Sequence, residues 1–290
     1  MRGRAWKLLC GSLLLGCGSD PVSAPIHQDT EPAKCDTPPG YVDLSYPALD
    51  VGEVVVSVHT TDGSPADHAL VEVCGINACT NPTYTDERGD ADVAVQVPTQ
   101  KPALKYGDAF EFGELALLFE VSGHRTDFGS LYTTKLPDTG DPIQPGKRAE
   151  SNGVALTLAE NGTFDLPGFA PYDTEDGRGL RAAELPQEHW PAGLDHGAGL
   201  ELVFTLAPMG AMLCPSPAVE LPNSAGWAPG TAVEFLQQGL DAGADEGAQL
   251  FAPYGEWTSF GTGTVDDTGE RLVQTEGGLA MISNVGVRRL

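Results

Sequence analysis

A polar turn and an alternating run, Thr85-Asp86-Glu87-Arg88-Gly89-Asp90-Ala91-Asp92-Val93-Ala94-Val95-Gln96-Val97, decide the fold of this chain. From Ala91 to Val97 an apolar residue stands at every second position, the period of a strand with one face in a core. Val54, Val56 and Val58 repeat the same alternation upstream. The pattern predicts antiparallel strands that are buried on one side and solvated on the other.

The composition extends this prediction to the rest of the chain. The 290 residues include 36 glycines and 23 prolines, a composition that favours short strands joined by turns over long helices. Further alternating runs lie within 69–73, 115–121, 154–158 and 200–206. We therefore expect an all-β protein with two antiparallel β-sandwich domains.

The domain boundaries follow from changes in composition. Residues 17–50 contain many prolines and little apolar periodicity, which is typical of an extended tether. We predict a first β-sandwich over 51–133 and a second β-rich domain over 153–290. The stretch 134–152, rich in glycine, proline and charge, is predicted to be the linker between them.

The first sixteen residues have the pattern of a cleaved secretory signal. Three basic residues are followed by the apolar run Leu8–Gly16. Nine residues are too few to span a bilayer as a helix, which takes about 20. The segment Leu14-Leu15-Gly16-Cys17 is in addition similar to the bacterial lipobox. That resemblance implies a diacylglyceryl group on the sulfur of Cys17, which becomes the new N-terminus, and Gly18 implies sorting to the outer membrane. The alternative is an ordinary secretory signal with an incidental cysteine.

The charge balance bears on the partners of the protein. The 41 acidic and 16 basic residues give a net charge of −25, and loss of Arg2, Arg4 and Lys7 with the signal would make it −28. Such a field repels phosphate backbones, so we expect no nucleic-acid partner. It also repels anionic head groups, which leaves the lipid as the contact with the membrane. Solubility explains the acidity most simply, and cation binding is the alternative.

The cysteines predict two disulfides. Cys10 leaves with the signal and Cys17 is the lipidation candidate, so four remain for an oxidising compartment. We favour Cys74–Cys79, which would close the tip of a hairpin, and Cys35–Cys214 then follows by elimination. A zinc site made from the same four sulfurs is the alternative, although no Cys-x-x-Cys pair is present.

Two family resemblances come from turn and strand motifs. The segments Asp62–Ala66, Ala69–Val73 and Thr85–Gly89 resemble carboxypeptidase regulatory-like domains. That resemblance implies a transthyretin-like β-sandwich that serves as a non-catalytic spacer or interaction module. In the C-terminal part, the turns within Pro215–Asn223 and Ala228–Thr231 are similar to those of ZU5-type and plug β-domains.

Few residues of the sequence are candidates for catalysis or metal binding. No metalloprotease, nucleophile-elbow, dinucleotide or kinase signature occurs, so we expect no enzyme and no cofactor. A hydrolase that uses an unrecognised pair of carboxylates is an alternative. His189, Asp195 and His196 could converge on a metal, but their irregular spacing favours surface histidines.

Two weaker sites are predicted in the C-terminal part. The acidic loop with Asp241, Asp245 and Glu246 is the best calcium candidate, because calcium takes six to eight oxygen ligands. Tyr254 and Trp257 lie among turn residues, so we expect them to be exposed and able to stack on a sugar or to fill a partner's pocket.

Together these patterns predict a lipid-anchored protein of the cell envelope. Its expected role is non-catalytic: structural, adhesive or in assembly, with an envelope protein or a polysaccharide as partner. A carbohydrate- or calcium-dependent binding module is the alternative.

Overall fold

Strands make up almost all of the regular structure. A computed structural model describes residues 35–36, 45–108, 110–166, 175–239 and 251–290. All of the described residues belong to one compact unit. The all-β prediction is confirmed. Among the described residues, no helix is long and apolar enough to cross a membrane.

The first half of the described chain contains nine strands. They are β1 (Ala48–Leu49), β2 (Gly52–Thr60), β3 (Leu70–Cys74), β4 (Thr83–Tyr84), β5 (Asp90–Val95), β6 (Thr99–Gln100), β7 (Ala103–Tyr106), β8 (Leu115–Leu118) and β9 (Arg125–Thr133). The predicted alternation is confirmed in β2 and β5, where Val54, Val56, Ala91 and Val93 are buried. Val97 departs from it: β5 ends at Val95, so Val97 lies beyond the sheet and is 43% exposed.

These strands form a β-sandwich. One sheet has the order β5-β2-β9 and the other the order β4-β3-β7-β8, while β1 and β6 form a separate pair. Alternate side chains from both sheets meet in one apolar core. The pairing is antiparallel except between β2 and β9, which run parallel.

The second half contains twelve strands and little helix. They are β10 (Asp141–Pro142), β11 (Arg148–Ser151), β12 (Val154–Thr157), β13 (Thr163–Asp165), β14 (Gly179–Glu184), β15 (Leu202–Ala207), β16 (Met212–Cys214), β17 (Val219–Pro222), β18 (Ala232–Gln238), β19 (Trp257–Val265), β20 (Arg271–Gly277) and β21 (Val285–Arg289). A four-residue helix, α1 (Glu175–Arg178), precedes β14, and a 3-10 turn covers Gln187–His189.

Ten of these strands form a single sheet that curls around a second core. Its order is β10-β14-β15-β21-β18-β19-β20-β17-β12-β11. The two ends approach each other, since Asn152 Nδ2 donates to Ala182 O at 2.7 Å and Ala182 N donates to Ser151 Oγ at 3.0 Å. The sheet thereby closes over its apolar face, with β13 and β16 as a short separate pair.

The two halves also share apolar packing. The core of the first sandwich includes Leu185, Leu194, Leu200, Val203 and Leu236 from the second half. Residues 134–152 contain β10 and β11 and bury residues such as Leu136 and Ala149. The division into two domains at this segment stays a prediction.

Candidate functional site

Both predicted disulfides are present. Cys74 and Cys79 are bonded to each other and pair as an isolated antiparallel bridge, which confirms the hairpin tip. Cys35 is bonded to Cys214 across a sequence separation of 179 residues. The chain preceding β1 is therefore attached covalently to β16 of the second half.

Several predicted site residues fall outside the described part of the chain. Cys17 does so, as do Asp241, Asp245 and Glu246 of the candidate calcium loop. Lipidation and calcium binding therefore stay predictions. Within the described residues, no group of three or more histidine, cysteine, aspartate or glutamate side chains lies close enough together to hold a metal ion.

The predicted exposure of Tyr254 and Trp257 is wrong. Tyr254 is only 3% exposed and packs with Cys74 and Ala103 on the outer face of the first sandwich. Trp257 is partly buried, and its Nε1 donates to Leu194 O at 2.7 Å. The flanking turn residues indicated a surface loop, but this turn lies between the two halves. Ligand binding by these two rings stays a prediction.

A cleft opens beside this turn, where the two halves meet. Its volume is about 440 Å³. We call it the Lys101 cleft; its lining residues are Tyr46, Lys101, Pro102, Leu118, Phe119, Glu120, His196 and Glu256. Aromatic and apolar side chains thus share the cleft with one lysine, two glutamates and one histidine.

An ion pair spans the cleft from one half to the other. Lys101 Nζ contacts Glu256 Oε1, and it also lies 5.5 Å from the centroid of the Tyr46 ring. The Lys101 side chain is only 13% exposed, so this pair is screened less than an ordinary surface pair. The pair fixes the position of both charges and of the ring.

The hairpin tip supports one wall of the Lys101 cleft. Asn77, between the two bonded cysteines, accepts a hydrogen bond from Gln100 N at 2.7 Å and donates to Pro98 O at 3.0 Å. Gln100 Nε2 in turn donates to Tyr46 O at 2.8 Å. The disulfide-closed tip therefore holds the backbone that carries Tyr46 and Lys101.

Trp257 and Gly255 support the opposite wall. The hydrogen bond from Trp257 to Leu194 O holds the loop that contains His196. Gly255 has a φ of +72°, and a Cβ there would lie 2.7 Å from Leu118 Cγ. The turn is therefore pressed against β8 at a position that only glycine allows.

Other charged clusters of the described chain serve the fold. On the second sheet, Arg148 and Arg271 pair with Glu150 and Glu220 across β11, β17 and β20. A hydrogen bond from Arg271 lowers the pKa of Glu150, and one to Glu220 raises the pKa of Arg148. This cluster neutralises itself and cross-links the strands.

A second charged cluster lies on the outer face of the first sandwich, the face that also carries Cys74 and Ala103. Lys105 Nζ is 3.5 Å from Glu72 Oε2 and 3.6 Å from Glu114 Oε1. All three side chains are largely buried, and such groups are retained in an interior when they are paired. The cluster joins β3, β7 and the start of β8.

The sequence did not indicate the Lys101 cleft. Its residues come from five separate stretches of the chain. The sequence drew attention to only two of them, the turn with Glu256 and the loop with His196, and to the latter only as a metal candidate. Lys101 and His196 both adopt left-handed backbone, with φ of 51° and 42°, which sequence patterns do not indicate for these residue types.

Comparison with known protein-family models and with curated proteins finds no match to this chain.

Proposed function

We propose that this protein is an exported lipoprotein whose β-sandwich part acts at the cell envelope as a non-catalytic structural, adhesive or assembly module. The observation that carries the proposal is the leader, in which a basic start and a short apolar run end at Leu14-Leu15-Gly16-Cys17. The acyl chains of a diacylglyceryl group on Cys17 would anchor the protein stably.

The disulfides support export. Every cysteine in the described part of the chain is bonded: Cys35, Cys74, Cys79 and Cys214. Disulfides form and persist in oxidising compartments and are rare in the cytosol. Gly18, rather than aspartate, after the lipidated cysteine supports the outer membrane as the destination.

The charge supports a partner other than nucleic acid. A net charge of −25 repels nucleic acid and anionic head groups alike, so the lipid is the contact with the membrane. Anchoring would raise the local concentration of the module near an envelope protein or a polysaccharide, which turns weak contacts into effective ones. The carboxypeptidase regulatory-like resemblance fits such a spacer or interaction module.

The proposal is tested by metabolic labelling of growing bacteria with an alkyne-tagged fatty acid. We expect the wild-type protein to be labelled and to fractionate with the outer membrane. Cys17→Ser should be unlabelled, whereas Cys10→Ser, a cysteine within the same leader, is the matched control and should be labelled like the wild type. An unlabelled wild-type protein, or a labelled Cys17→Ser, contradicts the proposal.

A carbohydrate- or calcium-dependent binding module is the second candidate function. The Lys101 cleft favours the carbohydrate version, because a concave site of this size with rings and a few polar groups is typical of small-ligand sites. The side chains that would bind calcium, Asp241, Asp245 and Glu246, lie outside the described residues. Addition of calcium to chelated protein should raise its melting temperature if that version holds, and an unchanged melting temperature excludes it.

A further inference from the structure

We propose that the Lys101 cleft binds a neutral sugar unit of an envelope polysaccharide. The inference rests on the proposed function, in which the anchored module meets a polysaccharide, and it assigns the contact to residues other than Tyr254 and Trp257. The site is formed by Tyr46, Lys101, Phe119, Glu120, His196 and Glu256.

The size and the lining residues of the Lys101 cleft fit one or two sugar rings. The cleft of about 440 Å³ falls within the range of about 300–1,000 Å³ that small-ligand sites occupy. A pyranose presents C–H groups on its faces and hydroxyl groups at its edge. Tyr46, 41% exposed, offers ring surface for such a face, and the partly buried Phe119 adds apolar lining. Glu120 and His196 are exposed and offer hydrogen-bond partners for the hydroxyl groups.

The charges favour a neutral ligand over a charged one. The carboxylate of Glu120 repels an anion, as does the overall charge of −25. The charge of Glu256 is already compensated by Lys101, whose ammonium group would in turn repel a cation. The Lys101–Glu256 pair still has both a donor and an acceptor to offer to hydroxyl groups.

The cleft is also held in place before any ligand arrives. The disulfide-closed tip fixes Tyr46 and Lys101 through Asn77 and Gln100. Lys101 and His196, on opposite walls, both adopt left-handed backbone, which is uncommon for such residues and clusters at ligand sites. A preformed site binds a ligand with less loss of conformational entropy than a flexible one.

The test uses the full-length protein, purified with its anchor in detergent, on an array of neutral and acidic oligosaccharides. Each hit is followed by calorimetric titration with that oligosaccharide. We expect saturable binding of at least one neutral oligosaccharide. Tyr46→Ala and Glu120→Gln should each weaken it tenfold or more. Tyr84→Ala is the matched control, because Tyr84 is a 56% exposed tyrosine of β4 that does not line the cleft, and it should leave the affinity unchanged.

Three results would overturn the inference: no neutral oligosaccharide bound, binding of acidic oligosaccharides only, or binding that both Tyr46→Ala and Glu120→Gln leave intact. The melting temperature of each variant is measured to check that it is folded. We expect both variants to fold, because both changed side chains are partly or largely in solvent. Fatty-acid labelling at Cys17 is measured separately. A labelled protein that binds no sugar therefore removes the cleft assignment and leaves the anchored module standing.

Discussion

Thr85 illustrates how a single side chain fixes the turn that decides the fold. Its Oγ1 donates to Ala66 O at 2.5 Å and accepts from Ala69 N at 2.8 Å, and the residue is only 2% exposed. The hydroxyl thereby satisfies two buried backbone groups just ahead of β3. The next residue, Asp86, accepts hydrogen bonds from Arg88 N and Asp90 N.

Thr85→Val should destabilise the protein by about 1–3 kcal/mol, because it leaves a buried donor and a buried acceptor without a partner at almost unchanged volume. Urea denaturation measures this free energy of unfolding. Thr264→Val is the control: Thr264 is exposed on β19, and its replacement should change the free energy by less than about 0.5 kcal/mol. Equal effects of the two substitutions would contradict the role of Thr85.

Asp86 contributes to the stability of the fold in a way that depends on pH. Hydrogen bonds from the backbone of Asp90 and from Arg88 lower its pKa from the ordinary value of 3.8. A carboxyl with a lowered folded-state pKa stabilises the fold above its unfolded-state pKa, and this contribution is lost as the pH falls through the folded-state pKa. Asp86→Asn should therefore lower the melting temperature at neutral pH, and the difference from wild type should shrink below pH 3.8. A difference that stays constant down to pH 2 would refute this.

At the level of elements, the open edge of β8 is covered by side-chain amides. Gln238 Nε2 donates to Ala116 O at 2.7 Å, and Asn284 Nδ2 donates to Glu114 O at 2.7 Å and to Gln238 Oε1 at 2.8 Å. Both amides are fully buried. Since an uncovered edge strand can pair with another chain, these amides protect the first sandwich and connect it to the second half.

Asn284→Leu should destabilise the fold by about 1–3 kcal/mol, since it leaves the Glu114 carbonyl and the Gln238 amide oxygen without this donor. It should also increase aggregation on heating, which light scattering measures. Gln96→Leu, at an exposed position, is the control and should leave the free energy of unfolding nearly unchanged. An Asn284→Leu variant as stable as wild type would show that the amide does not hold the edge.

Two glycines test the geometry of the turns in the first sandwich. Gly63 and Gly89 have φ of +86° and +81°, but a Cβ on Gly63 would meet open space, whereas one on Gly89 would lie 2.2 Å from Val58 O. Gly63→Ala should destabilise by about 1 kcal/mol through the left-handed backbone alone. Gly89→Ala should destabilise the protein clearly more than Gly63→Ala does, because the new Cβ would force the β2 backbone at Val58 to move. Equal losses in thermal or urea unfolding would contradict the close approach.

At the scale of the whole molecule, the described residues belong to one compact unit in which the core of the first sandwich takes side chains from both halves. Leu194 from the second half is 1% exposed in that core. Leu194→Ala should therefore destabilise by about 2–5 kcal/mol. Calorimetry should show a single transition at a lower temperature. Two separate transitions in the wild-type protein, only one of them shifted by Leu194→Ala, would show that the halves unfold independently.

The sequence predicted the parts of the fold that depend on local periodicity and on cysteine chemistry. The alternation in β2 and β5 predicted the strands, and the even number of remaining cysteines with the short loop predicted Cys74–Cys79. It could not predict the burial of Tyr254, because turn residues such as Gly255 are typical of surfaces and here lie against β8. Nor could it predict the Lys101 cleft, which long-range contacts between Tyr46, Lys101, His196 and Glu256 assemble.

If Cys17 is lipidated as we propose, the Cys35–Cys214 disulfide sets how far the module can extend from the membrane. Cys35 follows Cys17 by 18 positions, and such a length of chain spans at most about 60 Å. Removal of the bond by Cys35→Ser would release the covalent hold on the chain ahead of Tyr46, whose carbonyl is still held by Gln100, and allow a longer reach. Distance measurement between the membrane and a label on the exposed Tyr84 position should show this increase, and an unchanged distance would contradict it.

Mass spectrometry of the N-terminal peptide of the native protein tests the central claim most directly. We predict that the chain begins at Cys17, without residues 1–16, and that this residue has the added mass of a diacylglyceryl group. A free Cys17 thiol, or a leader still attached to protein in the soluble fraction, would contradict the account.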